Sequence, residues 1–348
     1  MSRFLLVLPL FLLATLLTGC KRNADDQPSL VVISGGAMGT YYRVNAVVNP
    51  DDPSKEELHN SIQKTLNHIN RLMSTYLPDS EISQFNQSNQ TDWFPVSDDT
   101  AFVVDNALKI FHQSDGAFDI TVAPLIELWG FGRAKGRPAP PTALEIEAAM
   151  RHVGSDHLEV QLDPPSLRKS DPKLQIDLSA IAKGFAVDQI TIMLEQSGID
   201  NCLVDIGGEI RALGRKPGNN PWMVGIESPN PDEEAIQRTL PLDNRALATS
   251  GDYRNYLEFE GKRYSHEIDP RTGYPIEHDL VSASVMAGNC MTADAWATAL
   301  MILGPAPGTE VTRRMQLPAL LITKKGLTVT EFESPNFIRY FPTNSDSE

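Results

Sequence analysis

The chain has 348 residues, 41% hydrophobic and 22% charged, an ordinary globular composition with room for one large domain or two intimately packed ones. Its formal net charge of −15 argues against a nucleic-acid partner and against broad adhesion to anionic lipid. An anionic substrate fits only where a metal and a few local cations reverse the field inside a site.

In chain order, a secretion signal comes first. Arg3 supplies its positive charge, and residues 4–17 form an apolar run broken only by Pro9 and Thr15. That run is shorter than the roughly 20 residues a membrane-spanning helix needs. Leu17-Thr18-Gly19-Cys20 resembles a bacterial lipobox. Residues 1–19 are therefore expected to be a cleaved signal peptide, Cys20 a lipidated N-terminus, and residues 20–29 a polar tether. The consequence is a soluble domain held to a membrane by acyl chains. The periplasmic side of the inner membrane is expected, with the outer membrane as the alternative because Lys21 follows Cys20. Cys202 and Cys290 are the other cysteines, without CxxC or zinc-type spacing, and their pairing is left open.

The remaining elements are expected within one unit, residues 30–342, followed by a polar tail at 343–348. Strands at 30–34 and 41–48 suggest a hairpin about a Gly-rich turn. Leu58, Ile62, Leu66, Ile69 and Met73 recur at helical spacing, so 55–73 is a helix, with Ser54 and Glu57 forming a capping box. Further helices are predicted at 98–114 (Phe102, Ala107, Ile110 and Phe111 on the apolar side), 142–152 and 181–197, the last stopped by Gly198. A final helix runs from near Thr292 to before Gly304. Loops are read at 136–141 and 164–172. Strands are read at 202–206 and 209–213, joined at Gly207-Gly208, and at 222–227, 256–259, 280–286 and 319–323. Helices interspersed with antiparallel-looking hairpins, without regular βαβ alternation, favour an α+β fold.

Several segments could carry chemistry. Gly35-Gly36-Ala37-Met38-Gly39-Thr40 fails the dinucleotide pattern, since Ala37 stands at its second glycine and a strand follows. A turn bringing backbone close to a ligand and a purely structural hairpin both remain open there. In Ser114-Asp115-Gly116-Ala117-Phe118-Asp119, Gly116 stops a helix and Asp119 orients backbone or binds ligand. Asp177 and Ser179 sit at a strand-to-helix junction with Lys183 one turn in, where amides and an ammonium attract phosphate. The plainer reading makes Asp177 or Ser179 the N-cap. A Ser-x-x-Lys hydrolase motif would need one residue fewer between Ser179 and Lys183. Asp294 and Thr298, four apart, share a helix face as hard oxygen ligands for Mg²⁺ or Ca²⁺, unless Asp294 is only a cap. His266, Asp269 and Arg271 gather around Pro270 and Gly273 in a polar turn. A hard cation beside that turn suggests handling of phosphate.

Taken in order, these segments resemble the bacterial ApbE family of FAD:protein FMN transferases. The resemblance runs from Gly36-Ala37-Met38-Gly39-Thr40 through Met73-Ser74-Thr75-Tyr76, Ser80-Glu81-Ile82-Ser83-Gln84-Phe85-Asn86 and Gly116-Ala117-Phe118-Asp119. It continues through Asp177-Leu178-Ser179-Ala180-Ile181-Ala182-Lys183-Gly184, Val204-Asp205-Ile206-Gly207-Gly208-Glu209 and His266-Glu267-Ile268-Asp269-Pro270-Arg271-Thr272-Gly273. It closes with Thr292-Ala293-Asp294-Ala295-Trp296-Ala297-Thr298.

The resemblance implies a T-fold-like core of mixed or antiparallel sheets with packed helices. It implies Mg²⁺-dependent transfer of FMN from FAD to a threonine or serine hydroxyl through a phosphoester, with AMP released. The implied acceptors are flavoproteins such as subunits of NADH:quinone oxidoreductases or Rnf-type complexes. By position, Met38, Tyr76, Ala117, Phe118, Asp119, Asp177, Lys183 and Ile268 are the implied FAD contacts. The implied Mg²⁺ ligands are the Ala180 carbonyl, Asp294 and Thr298, so Asp294 counts as catalytic. His266 is the candidate general base, because imidazole titrates near neutral pH. A non-catalytic flavin carrier and net FAD hydrolysis are the competing readings.

Overall fold

The computed structural model describes residues 27–341 apart from 134–135, 230–234 and 253–255. The expected signal peptide, Cys20, most of the tether and the polar tail lie outside the described residues. Alternating side chains build an eight-stranded sheet whose members are each antiparallel to their neighbours and follow chain order. The strands are Ser29–Ala37, Thr40–Val48, Cys202–Ile206, Glu209–Leu213, Ala246–Gly251, Leu280–Ala287, Ala319–Lys325 and Thr328–Glu333. Apart from the last helix, Pro335–Tyr340, the other elements are inserted between neighbouring strands. The first pair turns at Met38 and Gly39, both at positive φ, as a two-residue hairpin requires.

One sheet face is covered by helices. Lys55–Met73 starts at the expected capping box and buries its five expected apolar residues. Ser179–Gln196 and Cys290–Leu303 lie side by side between the sheet and Asp98–Gln113. The Cys290–Leu303 helix is buried almost all round, which suits an element enclosed by protein. Each large apolar side chain sealed in this layer contributes about 1.5–3 kcal/mol. Within Asp98–Gln113, however, Phe102 is exposed, and Ala101, Val103 and Val104 are buried instead.

The opposite face is only half covered. A hairpin of Trp222–Glu227 and Ile236–Leu242, with helix Pro335–Tyr340, packs Trp222, Val224, Leu240 and Phe337 onto Leu247, Met286, Leu320 and Ile322. Leu30, Tyr41 and Arg43, from the first two strands, remain exposed on that face.

The segment read as a loop at 164–172 instead contains strand Pro165–Lys169, paired with Leu158–Leu162. Proline at a strand's first residue costs no interior ladder bond. The helix expected to be final is followed by Pro305–Arg314, because Pro305 starts a new helix at its first turn rather than merely ending the old one. Cys202 and Cys290 are both buried free thiols.

Candidate active site

The site begins where two helices nearly touch. A Cβ on Gly184 would lie 2.4 Å from the Cys290 carbonyl oxygen and 2.7 Å from Met291 Cα, so only glycine permits this approach. Across the contact, Gly184 N–H donates to Asp294 Oδ2 at 2.9 Å. In a regular helix that amide points at the carbonyl four residues back, here Ala180. Asp294 is thus not a helix cap. The cap is Asn289, whose side chain accepts from Thr292 N–H, while Asp188 accepts from the Cys290 and Met291 amides at 2.9 Å each. Asp188 is itself paired with Arg211 at 2.6 Å.

Around this joint the charges converge. Lys183 Nζ lies 2.6 Å from Glu209 Oε1 and 3.7 Å from Asp294 Oδ1. Burial alone would lower the Lys183 pKa, but Asp294 and Glu209 outweigh it and hold the ammonium well above the usual lysine range. Burial pushes both carboxyls upward, opposed by Lys183. Glu209 Oε2 is buried with no hydrogen-bond partner among the described residues. Glu267 is raised by burial as well, with His266 and Lys183 pulling the other way. Its Oε1 stands 3.7 Å from His266 Nε2. Thr298 Oγ1, one turn beyond Asp294, meets Ser250 Oγ at 3.2 Å.

These groups line a cleft of about 1130 Å³. It also takes in Met38, Ala117, Phe118, Asp119, Asp177, Ala180 and Ile268, so the structure brings nearly all the expected site residues together. Tyr76 is the exception. It is 57% exposed and does not line the cleft, although burial of its hydroxyl and the charge of Asp177 raise its pKa. Asp119 is fully engaged within the protein. Oδ1 accepts from Thr121 N–H, Thr121 Oγ1 and Ser155 Oγ, and Oδ2 from Ser155 N–H. Its observed work is to orient backbone. The helix after Asp177 starts at Ser179 with Leu178 as the N-cap residue, and Ser179 N–H donates to Asp177 Oδ1 at 2.7 Å.

Two devices fix the polar turn holding His266. Asp269 accepts from the Arg271 amide and guanidinium, and Trp129 Nε1 donates to the Gly273 carbonyl at 2.9 Å. Ile268 packs with Leu125, Trp129 and Ile146 beneath.

Among the described residues, no group of three His, Cys, Asp or Glu side chains has the arrangement to hold a metal. Asp294, Thr298 and Ala180 all line the cleft, and the two side chains and the Ala180 carbonyl offer hard oxygens of the kind Mg²⁺ takes together with retained waters. Sequence reasoning assigned no role to Glu209, Glu267, Asp188 or Ser250. The available signal was a charge at an inward position: Glu209 pairs with the buried Ile206, and Asp188 falls among Phe185, Val187 and Ile190.

The antiparallel α+β scaffold thus sets a lysine and its carboxylates in a cleft of about 1130 Å³. Residues 38–321 match the ApbE family. The FAD:protein FMN transferase of Vibrio cholerae is 41% identical over 322 residues, covering 92% of this chain and 95% of that protein. That of Salmonella typhimurium is 41% identical over 329 residues, covering 93% and 94%. Among solved structures, the flavin transferase ApbE from Vibrio cholerae superposes with a TM-score of 0.83 at 40% identity, covering 90% of this chain and 99% of that one. The apo flavinyl transferase ApbE of Pseudomonas stutzeri gives 0.84 at 36% identity, covering 91% and 98%. The chain belongs to the ApbE family.

Proposed function

We propose that this chain transfers FMN from FAD to a threonine or serine hydroxyl of an acceptor protein. The observation that carries the reading is Lys183, held charged between Glu209 and Asp294 in the cleft, in a chain whose relatives are FAD:protein FMN transferases. The acceptor oxygen bonds to the FMN-side phosphorus, the bond from that phosphorus to the bridging oxygen breaks, and AMP leaves with that oxygen.

Negative charge grows on the phosphoryl oxygens and on departing AMP. Lys183 sits where it can meet that charge, and one such interaction in a water-poor site contributes roughly 3–4 kcal/mol. Glu209 and Asp294 keep the ammonium protonated and aimed. His266 takes the hydroxyl proton, with Glu267 beside it to stabilise the imidazolium that results. Mg²⁺ bound by Asp294, Thr298 and the Ala180 carbonyl would neutralise pyrophosphate charge in an otherwise acidic protein.

The test incubates the soluble domain with FAD, Mg²⁺ and a purified acceptor domain from an NADH:quinone oxidoreductase or Rnf-type subunit. A flavin-fluorescent acceptor band that survives denaturation, with AMP released in equal amount, is expected. FMN and AMP without that band would make the chain a hydrolase. Bound but intact FAD would make it a carrier. In His266→Ala, FAD binding is expected to persist while transfer falls; undiminished transfer removes His266 as the base.

Anchoring through acylated Cys20, on the periplasmic side of the inner membrane, completes the proposal. No helix among the described residues is long and apolar enough to cross a membrane, so attachment by acyl chains is compatible with the fold. Cys20→Ser is expected to release the protein from membranes and abolish fatty-acid labelling. Fractionating inner from outer membrane decides between the two locations.

A further inference from the structure

The cleft of about 1130 Å³ is lined by residues from two separate parts of the fold. One arm holds Met38, Phe118, Asp177 and Ile268. The other leaves the Lys183 centre past Gly207 and Gly208 and runs over the uncovered half of the outer sheet face, toward Leu30 and the Trp222–Glu227 hairpin. No residue expected to contact FAD lies in this second arm.

Its construction suits a chain rather than a compact ligand. The floor runs along strand Thr40–Val48 from Tyr41 through Arg43 to Asn45, with Leu30 beyond, and the Gly36–Tyr41 and Leu30–Val47 pairs mark its two ends. Six residues separate those pairs, about 20 Å at roughly 3.3 Å per residue. The floor is polar at Arg43, Asn45 and Asp205, with apolar side chains at its two ends and on the hairpin beside it. Leu30, Tyr41, Met223 and Ile236 are 49, 51, 45 and 65% exposed, too much apolar surface on one feature to be scattered residues.

We infer that this arm is the docking groove for the acceptor polypeptide, which lies extended along it for about six residues. Its acceptor hydroxyl reaches Lys183, and apolar neighbours of that residue cover Met223 and Ile236. The inference rests on the transferase reading. It is favoured by the groove's continuity with the reaction centre, because a hydroxyl carried on a protein must be delivered there with its flanking chain attached. It also assigns the hairpin a role in choosing among acceptors, since apolar pockets along an extended segment read its side chains.

Met223→Asp and Ile236→Asp test it, both at exposed positions where folding is insensitive. Transfer to a purified Rnf-type acceptor domain is measured beside FAD affinity by flavin fluorescence. The expected result is a KM for acceptor raised at least tenfold, with kcat and FAD affinity within about twofold of the parent. Ile236→Val is expected to restore the parent KM. An unchanged acceptor KM in both Asp variants overturns the groove. So does a tenfold loss of FAD affinity, which would make the arm part of the FAD site. A chain lacking residues 1–26 whose acceptor KM falls, matched by a fall in Ile236→Asp, would instead make its own N-terminal segment the occupant. A parent chain that gives no transfer to any acceptor fails the transferase reading itself, a separate outcome.

Discussion

Gly184 and Asp294, 110 positions apart, meet through one hydrogen bond of 2.9 Å at the point where their two helices come closest. The bond holds one carboxylate oxygen, leaving the other to face Lys183. The absence of a side chain on one residue thereby sets where the charge of the other stands.

Gly184→Ala is expected to be more harmful than a single methyl suggests. The added carbon would strike backbone rather than a flexible side chain, so the helices must separate. Overpacking of this kind costs about 1–3 kcal/mol, read as a lower denaturation midpoint. Transfer is expected to fall further than stability at the same temperature. A variant with parental stability and parental transfer would show that the close approach is dispensable.

Asp294→Asn keeps the size of the side chain and an acceptor for Gly184, and removes the charge. FMN transfer is expected to drop by two orders of magnitude or more, about 2.7 kcal/mol of transition-state stabilisation, with a higher Mg²⁺ requirement. Titrating Mg²⁺ in the transfer assay checks it. An unaltered Mg²⁺ dependence would assign Asp294 to holding the helices alone.

Asp188→Ala takes the acceptor from half-buried Arg211 and from two buried helix amides. Breaking a buried pair this way costs about 3–5 kcal/mol. Urea denaturation of the single variant is expected to show that loss, and Asp188→Leu combined with Arg211→Met to recover part of it. Equal losses in the two variants would mean the amides matter and the ion pair does not.

How far the sequence could be read followed the range of the interactions involved. The capping box of Ser54 and Glu57 and the turn at Gly207 and Gly208 are local, so neighbouring letters specify them. Asp294 and Thr298 could be placed on one helix face by counting four residues. Glu209 acts by meeting Lys183, and Asp188 by reaching a helix start 102 positions later, and no local pattern carries such pairings. Asp119 meets the same limit. Its segment allowed either backbone orientation or ligand binding, and only the fold shows Thr121 and the distant Ser155 at its carboxylate. Strand Pro165–Lys169 was hidden because proline at its edge reads as loop.

Stability in alkali supplies a test away from the cleft. Lys169 is 1% exposed, donates to the Phe85 and Leu174 carbonyls, and burial lowers its pKa from 10.5 to about 8. Below pH 8 folded and unfolded chains both carry the proton, and the folded state bears the full cost of burying it. Between pH 8 and 10.5 the folded chain loses that proton first, so the unfolded state binds more and stability rises with pH. The stability of the parent relative to Lys169→Met is expected to climb by up to about 3 kcal/mol across that window. Denaturation at a series of pH values checks it; a flat difference would mean the two carbonyls keep the ammonium at ordinary basicity.

The first strand begins at Ser29, nine positions after Cys20. A chain spans at most about 3.3–3.6 Å per residue, so the proposed anchor gives the sheet a leash of roughly 30 Å. Leu30 opens the far end of the second cleft arm, which puts that arm at the leashed end of the domain. A transferase tied this short would sweep a thin layer above the bilayer and meet acceptor hydroxyls displayed there. Lengthening the leash with a Gly/Ser insert would then widen the set of hydroxyls it can modify, with no change to the site.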